Sequence, residues 1–175
     1  MNMVPGVDMS TGSLGQGISC AVGMALGLKH QGSAARVYTL LGDGEIQEGQ
    51  VWEACMSAAH YKLDNFVAIV DNNGLQIDGA IDKVMSPYPI VEKLEAFGFN
   101  VVAIDGHDFT QIEAAFENAK ATKGKPTAIV MKTTKGKNIS FMENNAGWHG
   151  KAPNDAEREQ ALAELNAILS ELEGK

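Results

Sequence analysis

Hydrophobic positions along the chain alternate between two periods. From Leu14 to His30, the apolar residues Ile18, Val22, Ala25, Leu26 and Leu28 recur at helical spacing with small residues between them. This predicts a tightly buried helix after a glycine-rich entry loop, with Ser10 or Thr11 available to cap its start. The run ARVYTLLGD is continuous, apolar and β-branched, and it stops at a Gly-Asp-Gly turn; it reads as a buried strand. Helical spacing returns in IQEGQVWEACMSAAHYKL, with Val51, Cys55 or Met56, Ala59 and Leu63. A second apolar strand, Phe66 to Val70, breaks at a polar Asp-Asn-Asn-Gly turn. The next stretch, LQIDGAIDKVMSPYP, fits neither period and reads as an irregular excursion with turns at Asp78-Gly79 and Ser86-Pro87. Helix IVEKLEAFG, stopped by Gly98, then strand FNVVAID, helix TQIEAAFENAKAT and strand PTAIVMKTT follow in order. A long polar loop, KGKNISFMENNAGWHGKAPN, leads to a charged amphipathic helix that Asn154 or Asp155 can cap.

Strand and helix alternate throughout, which argues for an α/β fold: parallel strands joined by right-handed crossovers, with helices on both faces of one sheet. A chain of 175 residues fits one domain over 1–175. In such a sheet the ligand crevice lies at the carboxyl ends of the strands, where the strand-to-helix loops gather.

Charge narrows the ligand classes. With 14 Lys and Arg against 22 Asp and Glu, the net charge is −8, which argues against a nucleic-acid partner. An anionic small ligand therefore needs a local device, such as a metal ion. There is no apolar run near the length of a bilayer span and no secretory leader pattern, so the expectation is a cytoplasmic protein without a membrane partner. Cys20 and Cys55 sit inside predicted helices without paired metal spacing, and both read as small buried residues suited to a reducing compartment.

Asp43 and Asn73 each end an apolar strand, thirty positions apart, the length of one helical crossover. If the two strands are neighbours, a carboxylate oxygen and an amide oxygen face each other beside free backbone carbonyls. That is a hard-oxygen site for Mg²⁺, with Ca²⁺ or Mn²⁺ as alternatives. One protein charge plus a neutral oxygen leaves the rest of the negative charge to the ligand, so the metal would bridge protein and diphosphate. Gly-Asp-Gly alone is a common turn and Asn-Asn-Gly a natural strand ending; their combination at this spacing carries the argument.

GDGEIQEG with DNNGLQIDG resembles the thiamine diphosphate-binding part of transketolases, and the flanking PGVDMSTGSLGQGI and AGWHGKAP agree with it. The resemblance runs from Pro5 to the closing helix. It implies a thiamine diphosphate-binding fold in which Asp43, the Asn73 side chain and the Leu75 carbonyl ligate the metal, while Gly42 and Gly44 bring the backbone close to the diphosphate. Ile77 corresponds to an apolar contact of the thiazolium ring, and Gly12 and Leu14 to the loop against the aminopyrimidine. His149 corresponds to a histidine that reaches the diphosphate and the reacting centre. Glu48 and Glu53 correspond to carboxylates near the subunit interface that join a hydrogen-bonded link between two cofactors. The plainer reading for both glutamates is a solvated first helical turn, where negative charge is favourable. His30, His60 and His107 are assigned no catalytic role, and Trp52 and Trp148 read as packing or interface residues.

In the resembled enzymes a two-carbon ketol unit passes from a ketose phosphate to an aldose phosphate. The resemblance also implies a pyrimidine-binding domain and an opening segment that have no counterpart in these 175 residues. The expectation is one half of a split transketolase, or equally an internal-start or cut product of a longer one, self-associating to a dimer or heterotetramer and active only together with a pyrimidine-domain subunit. Two alternatives stand beside it: another enzyme of the family, of the dihydroxyacetone synthase or deoxyxylulose-phosphate synthase type, and a catalytically incomplete binding module.

Overall fold

A computed structural model describes residues 4–174; residues 1–3 and 175, which the expected domain includes, lie outside the described residues. Helix α1 (Gln16–His30) precedes strand β1 (Val37–Gly42), helix α2 (Gly49–His60) and strand β2 (Phe66–Asn72). The excursion after β2 holds a two-stranded hairpin, β3 (Leu75–Gln76) with β4 (Gly79–Ala80), and the single-turn helix α3 (Ile81–Val84). Helix α4 (Ile90–Ala96), strand β5 (Asn100–Asp105), helix α5 (Phe109–Ala121), strand β6 (Thr127–Lys132) and helix α6 (Asp155–Glu173) complete the chain.

The four long strands pair in parallel in the order β1-β2-β6-β5. Strand alternation sorts their side chains into two cores. Ala68, Val70, Ala128 and Val130 face a core shared with Ile18, Val22 and Ala25 of α1, Ala54, Cys55 and Ala58 of α2, and Ile90 and Leu94 of α4. Val67 and Ile129, with Ile69 and Met131 beside them, face the other way against Ala115, Ala119 and Phe116 of α5. The expected helices on both faces are therefore present. Alanines on the inner faces of α1 and α2 let the two helix axes approach closely over the sheet. Strand β1 is an edge: Tyr38 leans on Phe116 at 5.6 Å between ring centroids, but its neighbour Leu40 on the same face is 66% exposed.

Three details differ from the expectations. Neither Ser10 nor Thr11 caps α1; the chain enters through Gly15 at φ +82°, with no side-chain cap. The left-handed entry places the helix start at Gln16; Thr11 packs against Gly17, where a Cβ would stand 2.8 Å from its Oγ1, without capping the first turn. Cys20 is exposed while Cys55 is buried, because Cys20 stands two residues from Ile18 and so on the far side of the helix. The stretch before α2 is a 3-10 turn, Glu45–Gln47, rather than the beginning of that helix. The expected helix ends hold elsewhere. Gly98 follows α4 at φ +86°, and Asn154 forms a full capping box with Glu157 at the start of α6.

Register fixes where the strands stop. Gly42 pairs with Asp71, Asn72 with Lys132, and Lys132 with Asp105, so the loops after all four strands open along one rim of the sheet.

Candidate functional site

At that rim the first two strand ends interlock through Asp43. Its side chain is 1% exposed. Gly44 N–H donates to Oδ1 at 2.9 Å and Gly74 N–H to Oδ2 at 2.6 Å. Each oxygen is thus met by one backbone donor and keeps a further lone pair. Burial pushes its pKa above the usual carboxylate value, opposed by the two backbone donors, while the charge of Asp71 adds to the rise and that of Lys132 reduces it. No salt bridge among the described residues neutralises Asp43. A carboxylate buried without a partner cation is costly, and this one sits where a hard cation would relieve that cost.

Asn73 completes the cluster. Its Oδ1 accepts from Leu75 N–H at 2.9 Å, closing an Asx turn, and its Nδ2 donates to Asp71 Oδ2 at 3.2 Å. Gly74 takes φ +79° between them, which is what lets its N–H turn back to Asp43. The structure thus brings Asp43, Gly44, Asn73, Gly74 and Leu75 together, with one carboxylate and one amide oxygen of the hard kind that Mg²⁺ prefers. Among the described residues no group of three or more His, Cys, Asp or Glu could hold a metal; a site with a single carboxylate lies outside that pattern.

The surrounding loops are fastened to this cluster by residues that the sequence did not single out. Glu45 accepts from Gly15 N–H at 3.0 Å and from Gly42 N–H at 3.2 Å, tying the loop before α1 to the end of β1. Gln47 Nε2 donates to Gln76 Oε1 and to the Met85 carbonyl, both at 2.6 Å. Gln76 lies over Gly44, where a Cβ would stand 3.2 Å from that of Gln76. Ile77, at the tip of the β3–β4 hairpin, is 67% exposed, and Leu14, in the loop before α1, is 56% exposed. Both are apolar side chains held out from the core on loops of this rim. Gly12 is exposed, and a Cβ there would meet open space.

Three of the expected residues, His149, Glu48 and Glu53, make no hydrogen bond to Asp43 or Asn73 among the described residues. His149 is exposed after the 3-10 turn Ala146–Trp148. That turn lies against β4, and its loop is braced by Trp148 Nε1–H donating to the Phe141 carbonyl at 2.9 Å and by Lys151 Nζ over the Trp148 ring at 4.0 Å. No hydrogen bond among the described residues joins His149 to Asp43 or Asn73. Glu48 and Glu53 are exposed on α2 and the residue before it. His107, assigned no catalytic role, accepts from Thr134 N–H at its Nε2 at 2.9 Å and so links the loops after β5 and β6.

The family model for the transketolase thiamine diphosphate-binding domain matches residues 1–166. The chain belongs to the transketolase family. It is 44% identical over 165 residues to the 6-deoxy-6-sulfo-D-fructose transketolase subunit SqwG of Clostridium sp. (strain MSTE9), covering 94% of this chain and 60% of that protein. It is 41% identical over 170 residues to one of the subunits of the apulose-4-phosphate transketolase of Phocaeicola vulgatus, covering 97% of this chain and again 60% of the relative. Its fold superposes on the crystal structure of transketolase from Campylobacter jejuni with a TM-score of 0.85 at 36% identity, over 91% of this chain and 26% of that one. The chain thus spans about 60% of the length of the two relatives. The α/β fold class read from the alternation of strands and helices is present, and it is the fold of the transketolase domain. No helix among the described residues is long and apolar enough to cross a membrane.

Proposed function

We propose that this chain is the cofactor-binding subunit of a split transketolase, holding Mg²⁺ and thiamine diphosphate at the rim formed by β1 and β2. The observation that carries the reading is the buried Asp43 carboxylate, accepting from Gly44 and Gly74 and lacking an ion-pair partner among the described residues. In this reading Asp43, Asn73 Oδ1 and the Leu75 carbonyl hold the cation, and Gly42 and Gly44 admit the diphosphate close to the backbone. Ile77 offers its exposed side chain to the thiazolium, and Gly12 and Leu14 line the aminopyrimidine end. Glu45 keeps the two ends of the cradle at a fixed separation by holding Gly15 and Gly42 at once.

Thiamine diphosphate, when bound, supplies the nucleophilic carbon that accepts a two-carbon ketol unit from a ketose phosphate and passes it to an aldose phosphate. The chain's own contribution is binding, orientation and proton handling. His149 is placed on a loop braced by Trp148 and Phe141, and in this reading it moves protons of the sugar hydroxyls once the loop meets substrate. Glu48, exposed next to Gly15, faces the partner and links toward its cofactor.

Completion of the site falls to a pyrimidine-domain subunit. The names of the two relatives, each a transketolase subunit, support this. So does the rim itself, since exposed apolar side chains such as Leu14 and Ile77 mark a surface that is covered in the working state. The working assembly is a dimer or heterotetramer in the cytoplasm, acting on sugar phosphates.

Calorimetric titration of thiamine diphosphate into the chain, with and without Mg²⁺ and repeated on Asp43→Ala, tests the reading. Magnesium-dependent binding that disappears in the variant is expected. Binding that is indifferent to Mg²⁺, or that survives Asp43→Ala, would overturn it.

A further inference from the structure

Asp71 is the penultimate residue of β2, two residues before Asn73, and its two oxygens are used in opposite directions. Thr133, just past the end of β6, donates its hydroxyl to Asp71 Oδ1. Asn73 Nδ2 donates to Asp71 Oδ2 at 3.2 Å. The neighbouring strand thereby anchors the carboxylate, and the carboxylate holds the amide nitrogen of Asn73. An amide side chain has two faces of opposite character, and only the oxygen face can ligate a cation. With its nitrogen held by an acceptor-only carboxylate, Asn73 leaves its oxygen for the Leu75 N–H at 2.9 Å and for whatever stands beside Asp43. The reverse rotamer would set the Asn73 oxygen against the Asp71 carboxylate and its NH₂ against the Leu75 N–H, two repulsions in place of two hydrogen bonds.

We propose that Asp71, anchored by Thr133, is the positioning residue that turns the carbonyl oxygen of Asn73 toward the cation. This rests on the assignment of the metal site above and extends it to a residue that does not itself ligate. Outer partners of metal ligands fix ligand orientation and typically contribute about 10–100-fold in affinity. The role belongs to the acceptor oxygen of Asp71, not to its charge. An asparagine at position 71 can still accept from Asn73 Nδ2 with its oxygen and donate to the Thr133 hydroxyl with its nitrogen, so it preserves the arrangement while removing the charge.

The test is Mn²⁺ binding followed by electron paramagnetic resonance, with the full chain at saturating thiamine diphosphate, for the wild type, Asp71→Ala, Asp71→Asn and Thr133→Val. Expected are a loss of about tenfold or more in Mn²⁺ affinity for Asp71→Ala, a smaller loss for Thr133→Val, and affinity within about threefold of wild type for Asp71→Asn. Wild-type affinity in both Asp71→Ala and Thr133→Val would overturn the proposal. An Asp71→Asn variant as weak as Asp71→Ala would also overturn it, by showing that the charge is what matters. If Asp71→Ala does not fold, as judged by its thermal transition, the contrast between Thr133→Val and Asp71→Asn decides alone. Failure of the wild type itself to bind Mn²⁺ with thiamine diphosphate would instead remove the metal-site reading, a result distinct from any pattern among the variants.

Discussion

Gly74 N–H donates to Asp43 Oδ2 at 2.6 Å across 31 positions of sequence. This single bond joins the turn after β1 to the turn after β2 at the rim of the sheet. It depends on the parallel register that sets Gly42 beside Asp71 and on the left-handed φ of Gly74. A carboxylate drawn into the protein by backbone donors, rather than by a lysine or arginine, is left with charge to share.

Asp43→Asn follows from this geometry. The amide keeps the volume and can still accept from one of the two backbone donors, while the cost of burying a charge is removed. The variant is expected to unfold at a temperature near or above that of the wild type, and to lose Mg²⁺-dependent thiamine diphosphate binding by about a hundredfold or more. Thermal unfolding and calorimetric titration on the same preparation check both halves. A variant that binds normally would show that the Asp43 charge is not what holds the cation.

The loop that carries His149 depends on a glycine at its head. Gly136 sits at φ +69°, and a Cβ there would stand 2.6 Å from the Met142 carbonyl oxygen. Gly136→Ala combines left-handed strain of about 1–2 kcal/mol with a clash against backbone that cannot easily move. It is expected to lower the unfolding temperature by several degrees and to expose the 135–150 loop to limited proteolysis. Gly150→Ala, where a Cβ would meet open space, is the control and should match the wild type.

The meeting of Asp43 and Asn73 at one rim was legible in the sequence because its signals are local. An apolar β-branched run that stops at Gly-Asp-Gly, and another that stops at Asp-Asn-Asn-Gly, give strand and turn together, and the strand ends of a parallel sheet share one side. The fastening of the cluster was not legible. Glu45 reaches Gly15 across 30 positions, and Thr133 reaches Asp71 across 62. Such partners are set by strand order, and nothing in the alternation of apolar runs places β6 between β2 and β5. The missing hydroxyl cap of α1 has a cause of another kind: the helix start after Gly15 is a boundary that apolar spacing leaves free by a residue or two. The exposure of Cys20, two residues from Ile18, follows from the apolar spacing itself.

The two cysteines are expected to differ sharply toward thiol reagents. Burial pushes the Cys55 thiol up to about 12, and its side chain lies in the core between α2 and the sheet; Cys20 is exposed on α1. Because the thiolate is the reactive form, a native preparation should show one titratable thiol per chain and a denatured one two. Cys20→Ser should abolish the native reaction. Equal reactivity of both thiols in the folded protein would mean that α2 opens readily from the sheet.

Asp64 ties together the other end of the sheet. It follows α2 and accepts from Gly124 N–H at 2.9 Å and from Lys29 Nζ at 3.1 Å, so it joins the end of α1 to the loop before β6. The Gly124 donor, with Lys29 adding to it against the opposing effect of partial burial, holds its carboxyl below the ordinary value of 3.8. A depressed folded-state pKa means that the folded chain binds the proton less tightly than the unfolded chain does. The stabilisation is therefore fully present above about pH 3.8 and is lost as the pH falls through the lower folded value. Other carboxylates titrate in the same window, so the informative quantity is the difference in urea midpoint between wild type and Asp64→Asn. That difference should favour the wild type and stay constant from about pH 7 to pH 5, then shrink toward zero as acid protonates Asp64 in the wild type. A difference that persists unchanged into acid would assign the stabilisation to hydrogen bonds that the amide also makes, and would remove Asp64 from the acid response of the fold.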